Sequence, residues 1–240
     1  MNLPIQKLLL NVLVLFFMSK ASAMNIQYLA DFQAVQAEAQ ERYETFRALV
    51  DQYNEGMQRK VEVIPRYELD QAGAYFNQIR HPLILKYSWA IPNFEALNEI
   101  KSFSPIFELG AGSGYWAELL KDLGTDIVAV DNGSDSGTGL APTKYWKKPI
   151  EGNESLVSQY PDRTLFLCWP DPRSAMASKA LAQYKGKFLI YVGYPAAKRS
   201  RYMGDQKFYD MLENQFKLIK EVAIPQWPGN EDALYVYERL

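Results

Sequence analysis

Cysteine and histidine are almost absent from this chain of 240 residues, which contains one of each, Cys168 and His81. A single cysteine excludes an intramolecular disulfide framework, and the pair supplies too few ligands for a Cys/His metal centre. We therefore predict no metal site. A Ser-His-Asp or Cys-His mechanism would have to use His81, which lies before Pro82 in a predicted loop without suitable partners. Cys168 lies inside an apolar run and is interpreted as a small core residue.

A dominant charge is also lacking, since 28 acidic and 26 basic residues leave a formal net charge of -2. Neither sign dominates a long stretch, so the sequence has no electrostatic footprint for nucleic acid or an anionic membrane. A small-molecule substrate fits this balance better, and the oligomeric state is not indicated. The length suits one sizeable α/β domain with an extension.

The first 23 residues have the form of a secretory signal peptide. Lys7 precedes an apolar stretch over 8–18, and Ala21-Ser22-Ala23 makes a small-residue cleavage site. The apolar stretch is too short for a stable membrane span, and we predict none in the mature chain. We expect export to the periplasm or the medium if Met1 is the true start. The alternative is a cytoplasmic protein that starts at Met24.

Two regions follow the predicted signal peptide. Residues 24–85 are rich in Ala, Glu and Gln with apolar residues spaced in threes and fours, which predicts a helical extension, either a cap on the main domain or a cover over a substrate pocket. Residues 86–240 alternate apolar runs with helical stretches, which predicts an α/β domain with a mainly parallel sheet. A C-terminal antiparallel hairpin should finish this sheet. Its strands are predicted at 105–109, 126–130, 145–150, 164–169, 187–193, 217–227 and 232–240.

The stretch "FELGAGSG" over 107–114 places three glycines between a predicted strand and a predicted helix. Glycine lets a ligand lie directly on the backbone, and the helix turns its free N–H groups toward that ligand. Asp131 lies at the carboxyl end of the next predicted strand, directly after its last residue, where a carboxylate can accept hydrogen bonds from ribose hydroxyls. Together these features predict a site for a cofactor that contains a nucleoside.

Two cofactors fit that description. The dinucleotide pattern G-x-G-x-x-G fails from Gly110 but fits from Gly112 if Ala117 replaces the last glycine, so an NAD(P)-dependent oxidoreductase stays open. Glu108 favours S-adenosylmethionine, because its carboxylate can reach an amino acid ammonium group and would repel a pyrophosphate. The C-terminal hairpin, and the lack of a partner domain for hydride transfer, favour the same cofactor.

The segment "FELGAGSG" with Asp131 resembles motif I and the acidic ribose contact of class I S-adenosylmethionine-dependent methyltransferases. The segments "KYSWAIPNFEAL", "LFLCWPDP", "GDQKF" and "IPQWPGNEDALYVYERL" resemble an uncharacterised microbial methyltransferase-like family. The resemblance implies a Rossmann-like domain over 86–240, S-adenosylmethionine as cofactor, and methyl transfer to an unidentified small acceptor. A non-catalytic secreted protein with this fold is a further alternative.

The resemblance also implies roles for single residues. Asp131 would hold the ribose and Asn132 would border the adenine. Asn153 or Glu154 would contact the adenine amino group, although Asn153 also suits a helix N-cap. The methionine end would lie against Glu108, Gly110, Ala111, Gly112 and Gly114.

Aromatic and acidic residues near the predicted crevice are candidates for the reacting end of the site. Trp169 ends the fourth predicted strand and Asp171 follows it. Because ligands of open α/β sheets bind beyond the carboxyl ends of strands, both are candidates for contacting the acceptor, and Trp169 also for contacting the cofactor. Asp171 is our candidate catalytic residue, to orient an acceptor or take its proton, or else a helix cap. Tyr87 and Trp89 would cover the sulfonium by cation–π contact, or serve as ordinary aromatic packing.

Overall fold

The computed structural model describes residues 3–61, 63–133, 141–198 and 203–240, with side chains described from residue 27 onward. The predicted signal peptide over 1–23 falls outside that side-chain description and stays a prediction. No helix among the residues searched is long and apolar enough to span a membrane. The helices are α1 Leu3–Arg59, α2 Arg66–Lys86, α3 Phe94–Ser102, α4 Tyr115–Asp122, α5 Met176–Gln183 and α6 Gln206–Gln215. The strands are β1 Ile106–Leu109, β2 Ile127–Asp131, β3 Ile150–Glu151, β4 Thr164–Cys168, β5 Phe188–Gly193, β6 Phe216–Ala223 and β7 Ala233–Arg239.

The predicted fold class is confirmed. Seven strands form one sheet in the order β3-β2-β1-β4-β5-β7-β6. The first five strands in that order pair in parallel, whereas β7 runs antiparallel to both β5 and β6. The short apolar runs fill the middle of the sheet because both of its faces are covered by helices.

Side chains alternate between two cores, one on each face of the sheet. Ile106 and Phe166 join the core that α1, α3 and α4 cover. Phe107 and Leu165 join the core under α5 and α6. Neighbouring residues of one strand therefore stabilise opposite layers, as the period of two in a strand requires.

Helix α2 continues through a segment that the sequence predicts to be a loop. It contains both His81 and Pro82, which we expected to lie in a loop. Proline removes one backbone hydrogen bond and opposes a helix interior. Here Phe76 and Ile84 are buried on either side of it, so packing of one apolar face holds the helix together across the proline.

The third strand is also different from its prediction. It comprises only Ile150–Glu151 rather than 145–150. The preceding residues bond elsewhere, because Trp146 donates its backbone N–H to the carbonyl of Ser113 at 2.9 Å and Thr143 donates to that of Leu85 at 2.9 Å. These backbone groups bond to the glycine loop and to the end of α2 instead of the sheet, so 143–148 form a strap over that loop.

Candidate functional site

The glycine loop joins β1 to α4 at the carboxyl edge of the sheet. Gly110, Gly112 and Gly114 have φ of +77°, +54° and +71°, in the left-handed region that glycine adopts without strain. A Cβ at Gly114 would lie 1.9 Å from the backbone oxygen of Lys147 in the strap. A Cβ at Gly112 would meet nothing within 4 Å. Gly114 is therefore required by packing, whereas Gly112 borders open space that a ligand can approach.

Asp131 ends β2 beside this loop, and its carboxylate is held by two backbone groups. Oδ2 accepts the N–H of Gly112 at 2.8 Å, and Oδ1 accepts that of Gly133 at 2.8 Å. Each carboxylate oxygen can accept a second hydrogen bond. The half-buried carboxylate is thus fixed in place with capacity left for hydroxyl donors.

Glu108 is the buried acid of the site. Its side chain is 1% exposed, and its Oε2 has no hydrogen-bond partner among the described residues. Burial, and then the negative charge of Asp131, raise the pKa of this carboxyl to about 8, while Lys147 opposes the rise. Without a cation, Glu108 is mostly protonated at neutral pH. A positively charged group at Oε2 would restore its ionised form.

A cavity of about 80 Å³ lies between the glycine loop and the end of α2. Six residues that the sequence predicted for the cofactor line it. Glu108 and the glycine loop are thus part of the same cavity lining. The six residues are Tyr87, Trp89, Glu108, Gly110, Ala111 and Gly112.

Tyr87 is packed on both faces. Its ring stacks on Tyr28 of α1 with centroids 4.3 Å apart and on Trp146 of the strap with centroids 5.3 Å apart. Its hydroxyl donates to Asp31 Oδ2 at 2.6 Å. Neither ring face is free for a sulfonium, so the geometry supports aromatic packing, and Tyr87 gives the cavity only its edge.

Trp89 and Trp169 stack with their centroids 5.4 Å apart and their planes at 16°. Trp89 lines the cavity, and Trp169 lies behind it. The indole Nε1 of Trp169 donates to Asp232 Oδ2 at 2.9 Å. The end of β4 is therefore tied to the start of β7 next to the cavity.

Methyltransferases are among the solved structures of similar fold. The glycopeptide N-methyltransferase MtfA, solved with S-adenosylhomocysteine, has a TM-score of 0.43 and 12% identity over 61% of this chain and 89% of its own. The precorrin-6y C5,15-methyltransferase of Geobacter metallireducens has a TM-score of 0.38 and 12% identity, over 63% and 90%. Human N-acetylserotonin methyltransferase, solved with S-adenosylmethionine, has a TM-score of 0.40 and 12% identity, over 90% and 70%. No protein-family model and no curated protein matches the chain.

The residues predicted for the adenine lie apart from the cavity. Asn132 follows Asp131 and is exposed. Asn153 accepts the backbone N–H of Ser155 at 2.9 Å and caps the short 3₁₀ helix Glu154–Gln159, so the geometry supports the capping alternative. Glu154 forms an ion pair with Lys179 at 3.3 Å. All three follow the carboxyl ends of β2 and β3 in the chain.

Asp171 is turned toward its own loop. Its Oδ1 accepts the backbone N–H of Arg173 at 2.9 Å and the Nε of the same residue at 3.2 Å. It does not belong to the residues that line the cavity. These bonds suit a residue that orders the turn after β4, and they give no support to the predicted catalytic role.

Sequence reasoning missed several residues of the cavity. Ser88, Trp116 and Cys168 line it. Cys168 ends β4, so the rule that ligands lie beyond strand ends was a usable signal for it. Ser88 and Trp116 carry no comparable signal. Within the described parts of the chain, no cluster of three or more His, Cys, Asp or Glu residues is suited to a metal ion.

Proposed function

We propose that this protein binds S-adenosylmethionine and transfers its methyl group to a small-molecule acceptor. The observation that carries the proposal is the buried carboxyl group of Glu108, which lines the cavity beside the glycine loop and whose Oε2 has no partner among the described residues. An unpaired buried carboxylate is costly, and the ammonium of an amino acid is the group that would satisfy it.

The surrounding residues fit the rest of that cofactor. Gly112 leaves its backbone open to close approach, and Asp131 has acceptor capacity for two ribose hydroxyls. The N-terminus of α4 directs N–H groups toward a carboxylate. When bound, the cofactor supplies an electrophilic methyl group on a sulfonium. The protein's own task is to orient the acceptor in line with that bond and to exclude water, which the strap and the rings of Tyr87 and Trp89 in the cavity wall support.

An oxidoreductase that uses a dinucleotide is the second candidate, and the charge of the site opposes it. A pyrophosphate on the glycine loop would lie beside Glu108 and Asp131, two carboxyl groups close enough for one to raise the pKa of the other. A pyrophosphate would keep Glu108 protonated and would meet the negative charge of Asp131, whereas an ammonium group would ionise Glu108 and gain a charge-assisted hydrogen bond. A non-catalytic role would need the same site to be dispensable.

Isothermal titration with S-adenosylhomocysteine and with NADH separates these candidates. We expect S-adenosylhomocysteine to bind and NADH to show no binding. Glu108→Gln should weaken the binding about 10- to 100-fold, the range for a lost charged hydrogen bond. Glu95→Gln changes an exposed acid of α3 in the same way and should leave affinity unchanged. Binding of NADH alone would overturn the proposal.

A further inference from the structure

A second polar cluster lies directly behind the cofactor cavity. Its base is the stacked pair of Trp89 and Trp169, here called the indole platform. Trp169 has a φ of +50°, a backbone conformation that residues other than glycine rarely adopt, and its side chain is held by Asp232. Strained residues of this kind persist where the surrounding structure enforces them, often at functional sites. The position of Trp169 in the platform is therefore enforced by the surrounding structure.

Opposite charges converge on the indole platform. The guanidinium carbon of Arg80 lies 5.5 Å from the ring centroid of Trp89 and 5.8 Å from that of Trp169, and its Nε is buried without a partner. Asp232 is 1% exposed, and although its Oδ2 accepts from Trp169, its Oδ1 has no partner. The platform thus has an unused donor and an unused acceptor, both on charged side chains.

The loop between β6 and β7 adds another unused donor. The Nδ2 of Asn230 is buried without a partner, and its Oδ1 lies 3.4 Å from the hydroxyl of Tyr194. Tyr194 makes an edge contact with Trp169. Among the described residues, eight buried side-chain polar atoms lack a partner, and three of them surround this platform. Folded proteins leave few buried polar groups unpaired, so this concentration points to a site that a ligand completes.

We propose that the indole platform with Arg80 and Asp232 binds the methyl acceptor, and that the acceptor is a planar aromatic molecule carrying a hydrogen-bond donor and an anionic oxygen. The flat indoles stack on an aromatic ring, Asp232 Oδ1 accepts from an N–H or O–H group, and Arg80 Nε donates to the oxygen. Trp89 belongs to both the platform and the cofactor cavity, which puts the two ligands side by side. This inference rests on the proposed function.

The three isomers of hydroxybenzoate are suitable probes, because they present both groups at three spacings. Each is titrated into protein saturated with S-adenosylhomocysteine, with benzoate as the matched probe that lacks the donor and phenol as the one that lacks the anion. We expect at least one isomer to bind tenfold more tightly than either control. Asp232→Asn and Arg80→Lys should each weaken that isomer about tenfold or more.

The exposed ion pair of Arg66 and Asp70 on α2 provides matched controls, since Arg66→Lys and Asp70→Asn should leave binding of the isomer unchanged. Binding of S-adenosylhomocysteine by each variant reports an intact fold, and Arg80→Lys carries the test if Asp232→Asn does not fold. If wild type binds S-adenosylhomocysteine but none of the isomers, or if both site variants bind as wild type does, the inference is overturned. If wild type does not bind S-adenosylhomocysteine, the proposed function itself fails.

Discussion

Binding of S-adenosylhomocysteine should release a proton from Glu108. Burial raises the pKa of this carboxyl to about 8 in the free protein. At pH 7 about nine molecules in ten therefore carry the proton. The amino group of the ligand is positively charged, and an opposite charge in contact favours the ionised carboxylate. Each binding event at pH 7 should consequently release about 0.9 proton.

The same shift sets the pH dependence of affinity. Between pH 6 and pH 7 the protonated fraction of Glu108 is close to one, so the association constant should rise about ninefold, or about 1.3 kcal/mol. Glu108→Gln keeps the shape of the side chain but has no proton to release. Its association constant should be lower throughout and nearly constant over this range.

Calorimetry at pH 7 in two buffers of different ionisation enthalpy measures the proton count directly. Asp131→Asn provides an internal check, because the charge of Asp131 is the second contribution to the raised pKa of Glu108. That variant should release fewer protons, although burial keeps the release above zero. Tight binding by wild type with no dependence on the buffer would refute the reasoning, as would the same proton count in Glu108→Gln.

Three further predictions concern stability and the N-terminal helix. Gly114→Ala should lose more stability in urea unfolding than Gly124→Ala. Gly124 has a similar positive φ but free space where a Cβ would lie, so its variant should lose only about 1 to 2 kcal/mol. Equal losses in the two variants would contradict the clash with Lys147. Between pH 4.5 and 8 the folded protein holds a proton on Glu108 that the unfolded protein releases, so the free energy of unfolding should fall as pH rises from 5 to 7. Relative to Glu108→Gln, the fall should be at most about 1.4 kcal/mol per pH unit, and the same pH dependence in both proteins would contradict this. Tyr28→Ala should lower stability by about 3 to 5 kcal/mol and weaken binding of S-adenosylhomocysteine, because the ring stacks on Tyr87. Tyr28→Phe should lose only the hydrogen bond to the backbone carbonyl of Ser88. Unchanged affinity in Tyr28→Ala would show that α1 does not contribute to the binding site.

The sheet was predictable because its strands are short apolar runs between helical stretches. Parallel strands that are buried on both faces need such runs. The short polar turn between the last two apolar segments predicts the C-terminal hairpin. The third strand was misplaced because the aromatic stretch around Trp146 looks like a strand. Its backbone instead bonds to the loop at Ser113, a contact between distant residues that no local pattern contains.

The same division holds at the site. Glu108, the glycine loop and Asp131 lie within one short stretch of chain, so spacing alone related them. Arg80 and Asp232 are far apart in the sequence and come together only when α2 and the start of β7 reach the same edge of the sheet. Their roles depend on burial and on missing partners, which are properties of the folded chain. The sequence likewise does not show that the carboxylate of Asp171 accepts hydrogen bonds from Arg173 in its own loop.

The stack of Tyr28 on Tyr87 has a practical meaning for anyone who divides this protein into parts. A boundary drawn at residue 86, where the sequence predicts that the sheet domain begins, would remove Tyr28 and Asp31, which hold Tyr87 in the cavity wall. The smallest piece that forms a complete pocket is therefore larger than the smallest piece that forms a complete sheet. Grafting, truncation or fusion experiments should keep the chain from Tyr28 onward.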